Sequence, residues 1–188
     1  FIGIFPENAD LNHIWGQIEN KTSLHQIKLS KAPNEVYCKL EETVNLIHEL
    51  GGLVSIHAGN KQNSVETITN SLPHAMAQKS DIAKVVDIYE LGRERDQQGY
   101  REKVFPAISK KLPMIICSDS HDMSNYNLKQ NCWIKAEPNF EGLKQIVYEP
   151  EQRVKIQSSK PDVKDDKEVI SYVQFKSDNK KFNTAPIY

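Results

Sequence analysis

The sequence predicts an α/β fold, and three features of the chain lead to this prediction. Short apolar runs recur at intervals of about 30 residues, the length of one strand–helix–strand repeat. Segments with helical spacing of apolar residues lie between these runs. Polar residues follow each run at once, as they do where buried parallel strands reach the edge of a sheet. We therefore expect parallel strands joined by helices over most of the chain.

Length and composition limit the classes of protein to consider. The chain has 188 residues, a formal net charge of -1 and 38% hydrophobic residues, which suits one domain with a tail. The near-neutral charge predicts no strong general attraction to nucleic acid or to an anionic membrane. No apolar run is long enough to span a bilayer. The 3 cysteines are an odd number without paired spacing, which predicts reduced thiols in a cytoplasmic protein.

The first part of the chain predicts a strand, a helix and a second strand. Residues 1–5 are apolar and β-prone, and the run ends at Pro6. Apolar residues at positions 36, 40, 44 and 47 predict a helix that opens at Pro33 and stops at Gly51. The apolar run at residues 53–59 then predicts a strand that ends with His57. The opening residues show no basic leader, and the absence of an initial methionine predicts a fragment or a processed product.

Two further strands are predicted in the middle of the chain. Residues 85–90 form a β-prone run that ends with Glu90, and a helix around Phe105 leads back to the next run. Residues 113–117 are apolar and the run stops at Ser118, so they predict a buried parallel strand. Cys117 lies inside this run and is predicted to be a small core residue.

The last third of the chain predicts a smaller α/β segment and a tail. Residues 132–136 predict a short strand. Asn139 is expected to cap a helix that ends before Pro150. Residues 156–168 are rich in Ser, Lys and Asp, which predicts a linker between a domain at 1–155 and a tail at 169–188. The tail alternates polar and apolar residues, as a strand or hairpin does, and is too short to build its own core.

Side chains capable of chemistry stand at the predicted strand ends. His57 and Glu90 end the second and third runs, and Asp119 and His121 follow the fourth. Successive parallel strands with right-handed crossovers bring their carboxyl ends to one rim. Imidazole and carboxylate groups bind divalent ions such as zinc, manganese or iron. The sequence thus predicts a metal site, with structural roles as the alternative: His57 as a core residue, Asp119 as a helix cap and His121 on the surface.

Two basic residues lie close to these positions in the sequence. Lys61 follows His57 in a polar loop, and Arg93 follows Glu90 in a turn. Both suit contact with a substrate phosphate. A solvated surface position explains each of them equally well.

Stretches around these residues resemble the later motifs of the PHP (polymerase and histidinol phosphatase) family: Ser55–Gly59, Asp87–Gly92 and Ile116–Asp122. A longer stretch, from Trp133 to Val154, resembles the TrlF-type subgroup, in which a PHP domain is joined to an AAA-like or SMC-like ATPase. The resemblance covers most of residues 1–155 and, weakly, the tail, which is similar to the approach to the ATPase.

The resemblance implies a fold, an activity and a set of ligands. The fold would be the later half of a distorted (βα)7 TIM-like barrel with a centre of zinc, manganese, iron or magnesium ions. The activity would be hydrolysis of phosphate esters, including nucleotide or nucleic-acid ends in some branches. His57, Glu90, Asp119 and His121 would be metal ligands, with His57, Asp119 and His121 in catalysis and Lys61 and Arg93 on the substrate.

The family's opening His-x-His pair and its second motif are absent from this sequence. We therefore expect either that the N-terminal half of the barrel is missing or that the chain is a degenerate remnant. A half barrel has two open sheet edges, so a partner segment or a second copy of the chain is expected to cover them. Two other functions stay open: a non-catalytic module that regulates or docks on an attached ATPase, and a small-molecule phosphatase of the histidinol-phosphate type.

Overall fold

A mixed four-stranded sheet forms the centre of the protein. The computed structural model describes residues 1–22, 24–32, 35–61, 63–69, 75–118, 120, 122–127, 130–161 and 174. Strand β1 (Ile2–Ile4) runs antiparallel to β2 (Leu53–Ala58), and β3 (Ile88–Leu91) and β4 (Met114–Ile115) continue the sheet in parallel. The strand order is β1-β2-β3-β4, so the described sheet is open, with edges at β1 and β4. The α/β prediction is confirmed, but the expectation of parallel strands holds only for β2, β3 and β4, because β1 pairs antiparallel with β2.

Helices connect successive strands. Between β1 and β2 lie α1 (Leu11–Lys21), α2 (Leu24–Ser30) and α3 (Leu40–Glu49), and between β2 and β3 lie α4 (Val65–Thr69) and α5 (Ala75–Val85). The connection from β3 to β4 contains α6 (Asp96–Gly99), a π-helical turn (Tyr100–Val104) and α7 (Phe105–Ile108). Among the described residues, no helix is both long enough and apolar enough to cross a membrane.

Three predicted positions differ from the structure. Helix α3 begins at Leu40 rather than near Pro33, because Lys39 is extended, with ψ at 127°; Pro33 itself lies outside the described residues. The predicted third strand begins later, since Val85 still belongs to α5. Cys117 is exposed rather than buried, because β4 ends at Ile115 and the chain has left the sheet by residue 117. The predicted stop at Gly51 is confirmed, with φ at +82°.

A second, smaller unit follows β4. Strands β5 (Cys132–Ile134) and β6 (Val154–Ile156) pair antiparallel, and α8 (Phe140–Tyr148) and α9 (Pro150–Arg153) lie in the connection between them. Asn139 caps α8 as predicted, since its side-chain oxygen accepts from the N–H of Gly142 at 2.7 Å. The Glu7 carboxylate accepts from the N–H of Phe140 at 2.7 Å and so ties the N-terminal segment to α8. The predicted tail at 169–188 and most of the predicted linker lie outside the described residues.

The two faces of the central sheet differ in chemistry. Because side chains alternate along a strand, one face carries apolar residues that pack with α3, α5 and α7: Val54, Ile56, Ala58, Tyr89 and Leu91 against Val44, Ile47, Ala83 and Phe105. Each fully buried aliphatic side chain contributes about 1.5–3 kcal/mol to this packing. The opposite face carries the alternate residues of β2 and β3: Ile88 packs with Ile146 of α8 and Val154 of β6, and His57 and Glu90 lie nearer the carboxyl ends of the strands.

Candidate functional site

His57 and Glu90 lie side by side near the carboxyl ends of β2 and β3. They are partners in the register of the two parallel strands, so both side chains project to the same face. His57 Nε2 is 3.9 Å from Glu90 Oε2, and the exposed fractions of their side chains are 31% and 6%. The predicted convergence of these two residues is therefore present. It follows from the register of β2 and β3, which no single stretch of sequence specifies.

Lys61 completes the environment of the Glu90 carboxylate. The Lys61 ammonium donates to Glu90 Oε1, whereas His57 faces Oε2. Only 7% of the Lys61 side chain is exposed, so its alternative interpretation as a solvated surface residue is wrong. A buried carboxylate is costly without a compensating charge. The Lys61 ammonium supplies that charge, and it brings a cation to the predicted site.

Arg93 lies at the same end of the sheet but on the surface. It is exposed and follows β3 directly. With the Asn60 amide oxygen turned toward the guanidinium, that oxygen accepts from Arg93 Nη1 at 2.8 Å and from Nη2 at 3.3 Å. Arg93 and Lys61 therefore belong to two adjacent loops, one after each strand.

Close backbone contacts hold these two loops together. Gly59 has φ at +68°, and a Cβ atom there would lie 2.5 Å from Oδ2 of Asp96. The same Asp96 oxygen accepts from the N–H of Asn60 at 2.8 Å. A Cβ on Gly92 would lie 2.9 Å from the Asn60 carbonyl oxygen. Glycine is therefore required at both positions for the loops to approach as they do.

Sequence reasoning missed Glu66, which fixes the loop that carries Lys61. Glu66 Oε2 accepts from the N–H of Gly59 at 2.6 Å, and Oε1 accepts from the hydroxyl of Tyr100. Burial, and then the Glu66 carboxylate, raise the pKa of Tyr100 far above its usual value. Glu66 lies in the first turn of α4, where a carboxylate is commonplace, so no sequence signal distinguishes it.

Tyr89 lies beneath this loop in the core. Its ring centroid is 5.1 Å from that of Tyr100 and 6.4 Å from that of Phe105. Its buried hydroxyl has no hydrogen-bond partner among the described residues. Burial, with a contribution from the Glu66 carboxylate, raises the pKa of Tyr89 well above its usual value.

The predicted ligands Asp119 and His121 lie outside the described residues. The described residues next to them form local hydrogen bonds. The N–H of Ser120 donates to the side-chain oxygen of Ser118 at 3.3 Å. Asp122 caps a short 3₁₀ turn, and its Oδ1 accepts from the N–H and the hydroxyl of Ser124 at 2.9 and 2.7 Å. These bonds, the side-chain bond first, hold the pKa of Asp122 below its usual value.

The described pair of donors fits a divalent ion. Zinc binds imidazole nitrogen and carboxylate oxygen at about 2.0–2.2 Å, so two donors on one ion lie at most about 4.2 Å apart. The 3.9 Å between His57 Nε2 and Glu90 Oε2 satisfies this limit. Within the described part of the chain, no third histidine, cysteine or carboxylate joins them in a metal-binding group.

No known protein-family model, curated protein or solved structure matches this chain. The functional conclusion therefore depends on the geometry of the strand ends and on the residues found there.

Proposed function

We propose that this chain carries part of the active site of a metal-dependent phosphoesterase. One observation carries the proposal: His57 and Glu90 face each other from paired positions on adjacent parallel strands, at the carboxyl ends of those strands. Active sites of parallel α/β proteins lie at this end of the sheet. Imidazole and carboxylate groups are the donors that catalytic zinc and manganese sites use.

We also propose that the sheet is the later half of a TIM-like barrel of the PHP type. Two features support this. The helices that connect the strands, α3, α5 and α7, pack on one face of the sheet, as the outer helices of a barrel do. His57 and Glu90 are on the other face, which would correspond to the inside of a barrel beyond the point where α8 packs on Ile88. The open edges at β1 and β4 are where further strands, or a second copy of the chain, would continue the sheet.

In this proposal each residue has a defined role. His57 and Glu90 hold a zinc, manganese, iron or magnesium ion, together with Asp119 and His121 as the resemblance to PHP proteins implies. The bound ion supplies Lewis acidity, which lowers the pKa of water and offsets the negative charge at phosphorus. Lys61 places an ammonium group beside the carboxylate, and Arg93 places a guanidinium on the neighbouring loop. Both cations suit the non-bridging oxygens of a phosphate ester.

One observation favours a second candidate, a non-catalytic module that docks on or regulates an attached ATPase. The Lys61 ammonium already compensates the Glu90 carboxylate, so the buried pair is electrically complete without an ion. In that case the pair would fix the structure of the loop after β2 and would take no part in chemistry.

Metal content distinguishes the two candidates. The 188-residue chain is purified, incubated with Zn²⁺ or Mn²⁺, passed through a desalting column and measured by inductively coupled plasma mass spectrometry. We expect at least one ion to stay with each chain, and we expect the His57→Ala and Glu90→Gln variants to retain much less. His13→Ala is the matched control, because His13 is exposed on α1 and should leave the metal content unchanged.

Activity provides the second readout. The metal-loaded chain should hydrolyse bis-p-nitrophenyl phosphate, and both site variants should lower the rate by about 100-fold or more, because loss of even an outer-shell partner of a metal ligand costs about 10- to 100-fold. A wild-type chain that retains neither metal would contradict the phosphoesterase proposal and favour the non-catalytic module. Metal retention that is equal in wild type and in Glu90→Gln would place the ion elsewhere.

A further inference from the structure

The β5–β6 hairpin carries a tryptophan and a lysine on its outer face. Trp133 and Lys155 are partners across the two strands. Their neighbours Cys132 and Ile156 pack against the core, and because side chains alternate along a strand, Trp133 and Lys155 project away from it. The indole N–H of Trp133 donates to the carbonyl of Gln157 at 3.0 Å, which fixes the orientation of the ring.

A concavity of about 250 Å³ opens on this face. Four cationic side chains and the Trp133 ring line most of it, the cations being Lys135, Arg153, Lys155 and Lys160. Among the residues described, its lining includes no aspartate or glutamate. A concave surface with one sign of charge concentrates the electrostatic potential and attracts ions of the opposite sign.

Two hydrogen bonds fix the position of the Arg153 side chain beside the concavity. Its Nε donates to Oε2 of Glu149 at 2.8 Å, and its Nη1 donates to the carbonyl of Lys135 at 3.0 Å. The Arg153 side chain is 25% exposed, so the guanidinium still reaches solvent. Because its position is fixed beforehand, little conformational entropy is lost when it binds an anion.

Among the described residues, Glu149 lies directly before α9 and Glu151 lies within it, beside the concavity. Glu149 is the partner of Arg153, and Glu151 has its own partner, Lys111, at 2.5 Å. Lys111 first, with Arg101 and Lys155 from farther away, holds the pKa of Glu151 below its usual value. Within the described part of the chain, cations therefore outnumber carboxylates around the concavity.

We propose that this concavity binds one nucleotide unit of a single-stranded nucleic acid. Arg153 and the lysines would hold the phosphodiester, since guanidinium and ammonium groups form charge-assisted hydrogen bonds with phosphate oxygens. The Trp133 ring would stack on the base, as aromatic side chains do in proteins that bind single strands. The volume is smaller than that of most drug-sized pockets and suits a fragment of this size. This binding does not depend on the proposed phosphoesterase site.

Tryptophan fluorescence tests the location of the site. The chain has 2 tryptophans, so Trp15→Phe leaves Trp133 as the reporter. This variant is titrated with an unlabelled oligothymidylate. EDTA is present, so that binding is measured without any metal-dependent reaction. We expect saturable quenching of Trp133 fluorescence. The logarithm of the binding constant should fall with the logarithm of the salt concentration, with a slope of about 0.7 per phosphate contact. No quenching at oligonucleotide concentrations that saturate binding by gel shift would overturn the proposal.

A charge-matched pair of variants tests specificity for the concavity. Lys155→Gln with Lys160→Gln should weaken binding by roughly five- to ten-fold and lower the salt slope by about 1.4. Lys84→Gln with Lys144→Gln removes the same charge from α5 and α8 and should change affinity by less than two-fold. Equal losses in both pairs would show general attraction and overturn the proposal. Displacement of the oligonucleotide by inorganic phosphate at equal phosphate concentration would also overturn it, because the site would then be one for free phosphate.

Discussion

His48 Nε2 lies 2.8 Å from Oδ2 of Asp87, at the end of the sheet opposite to His57 and Glu90. The same Asp87 oxygen accepts from the N–H of Val54 at 2.7 Å. Asp87 therefore joins the last turn of α3, the start of β2 and the residue before β3. This junction sets the positions at which the two parallel strands begin, and hence the register that brings their far ends together.

The first prediction concerns this junction. Asp87→Ala leaves the buried N–H of Val54 without its acceptor and removes the partner of His48, so we expect a loss of about 1–3 kcal/mol in the free energy of unfolding. Urea denaturation followed by circular dichroism measures it. Asp81→Ala is the control, because Asp81 is an exposed residue on α5 that pairs with Lys84, and it should leave the midpoint almost unchanged. Equal effects of the two variants would contradict this role for Asp87.

The second prediction concerns the buried pair Lys61 and Glu90. Lys61→Met leaves the Glu90 carboxylate buried without its ammonium partner, and we expect a loss of about 3–5 kcal/mol in the free energy of unfolding. The double variant Lys61→Met with Glu90→Gln removes both charges and should recover much of this loss. Chemical denaturation of the two single variants and the double variant gives the coupling energy.

The exposed pair Lys39 and Glu42 is the control for this comparison of single and double variants. Its side chains are 77% and 62% exposed, so Lys39→Met should leave stability almost unchanged. A coupling between Lys61 and Glu90 as small as that of the exposed pair would show that the buried pair does not hold the site together.

The third prediction concerns Gly59. Gly59→Ala places a Cβ at positive φ and 2.5 Å from the Asp96 carboxylate, so we expect a loss of about 1–3 kcal/mol and a disturbed loop after β2. Gly16→Ala, within α1 and with no atom closer than 4 Å to the new Cβ, should instead stabilise the protein by about 0.5–1 kcal/mol. Thermal or urea unfolding of the two variants gives the comparison. A destabilised Gly16→Ala or an unaffected Gly59→Ala would contradict the loop geometry.

The fourth prediction concerns stability at alkaline pH. Burial and the Glu66 carboxylate raise the pKa of Tyr100 in the folded state, whereas the unfolded chain ionises this tyrosine near about pH 10. The unfolded state therefore loses a proton first, so this contribution is complete below about pH 10 and is lost as pH rises further, by at most about 1.4 kcal/mol per pH unit. Urea midpoints between about pH 9 and pH 11 measure this fall, which should be shallower in Tyr100→Phe.

A surface tyrosine provides the control for this measurement. Tyr148 is 80% exposed, so Tyr148→Phe should leave the alkaline fall of the wild type in place. Tyr89 is also buried and has a raised pKa, so Tyr89→Phe should reduce the fall as Tyr100→Phe does. An identical fall in wild type and in Tyr100→Phe would show that Tyr100 does not govern stability in this range.

Local signals were enough for several elements of the fold. The apolar run at residues 53–58 became β2, the Asn139 cap opened α8, and Gly51 ended α3 at a positive φ. In each case one short segment contains the whole physical cause. The apolar spacing predicts too early a start for α3, because it includes Val36, which precedes the helix. It predicts a buried Cys117, whereas the length of β4 depends on its neighbour β3 and the pairing ends at Ile115.

In the candidate site, too, some features follow from local sequence and others from contacts between distant residues. The sequence predicts that His57, Glu90 and Lys61 lie near strand ends, and the structure brings the three side chains together. No sequence pattern indicates Glu66, whose importance comes from the N–H of Gly59 and the hydroxyl of Tyr100, 7 and 34 residues away. Arg93 was identified, but its contact with Asn60 follows from the close approach of two loops.

The sequence by itself determined the alternation of strands and helices and the kind of side chain at each strand end. Both depend on the spacing of apolar residues and on turn residues, which act over a few positions. The tertiary structure alone decided that Glu90 shares its carboxylate between Lys61 and His57, and that four cations line the same concavity as Trp133. The physical reason is that strand register and loop packing bring together residues that are tens of positions apart in the sequence. The free energy that selects this register and this packing comes from the whole core.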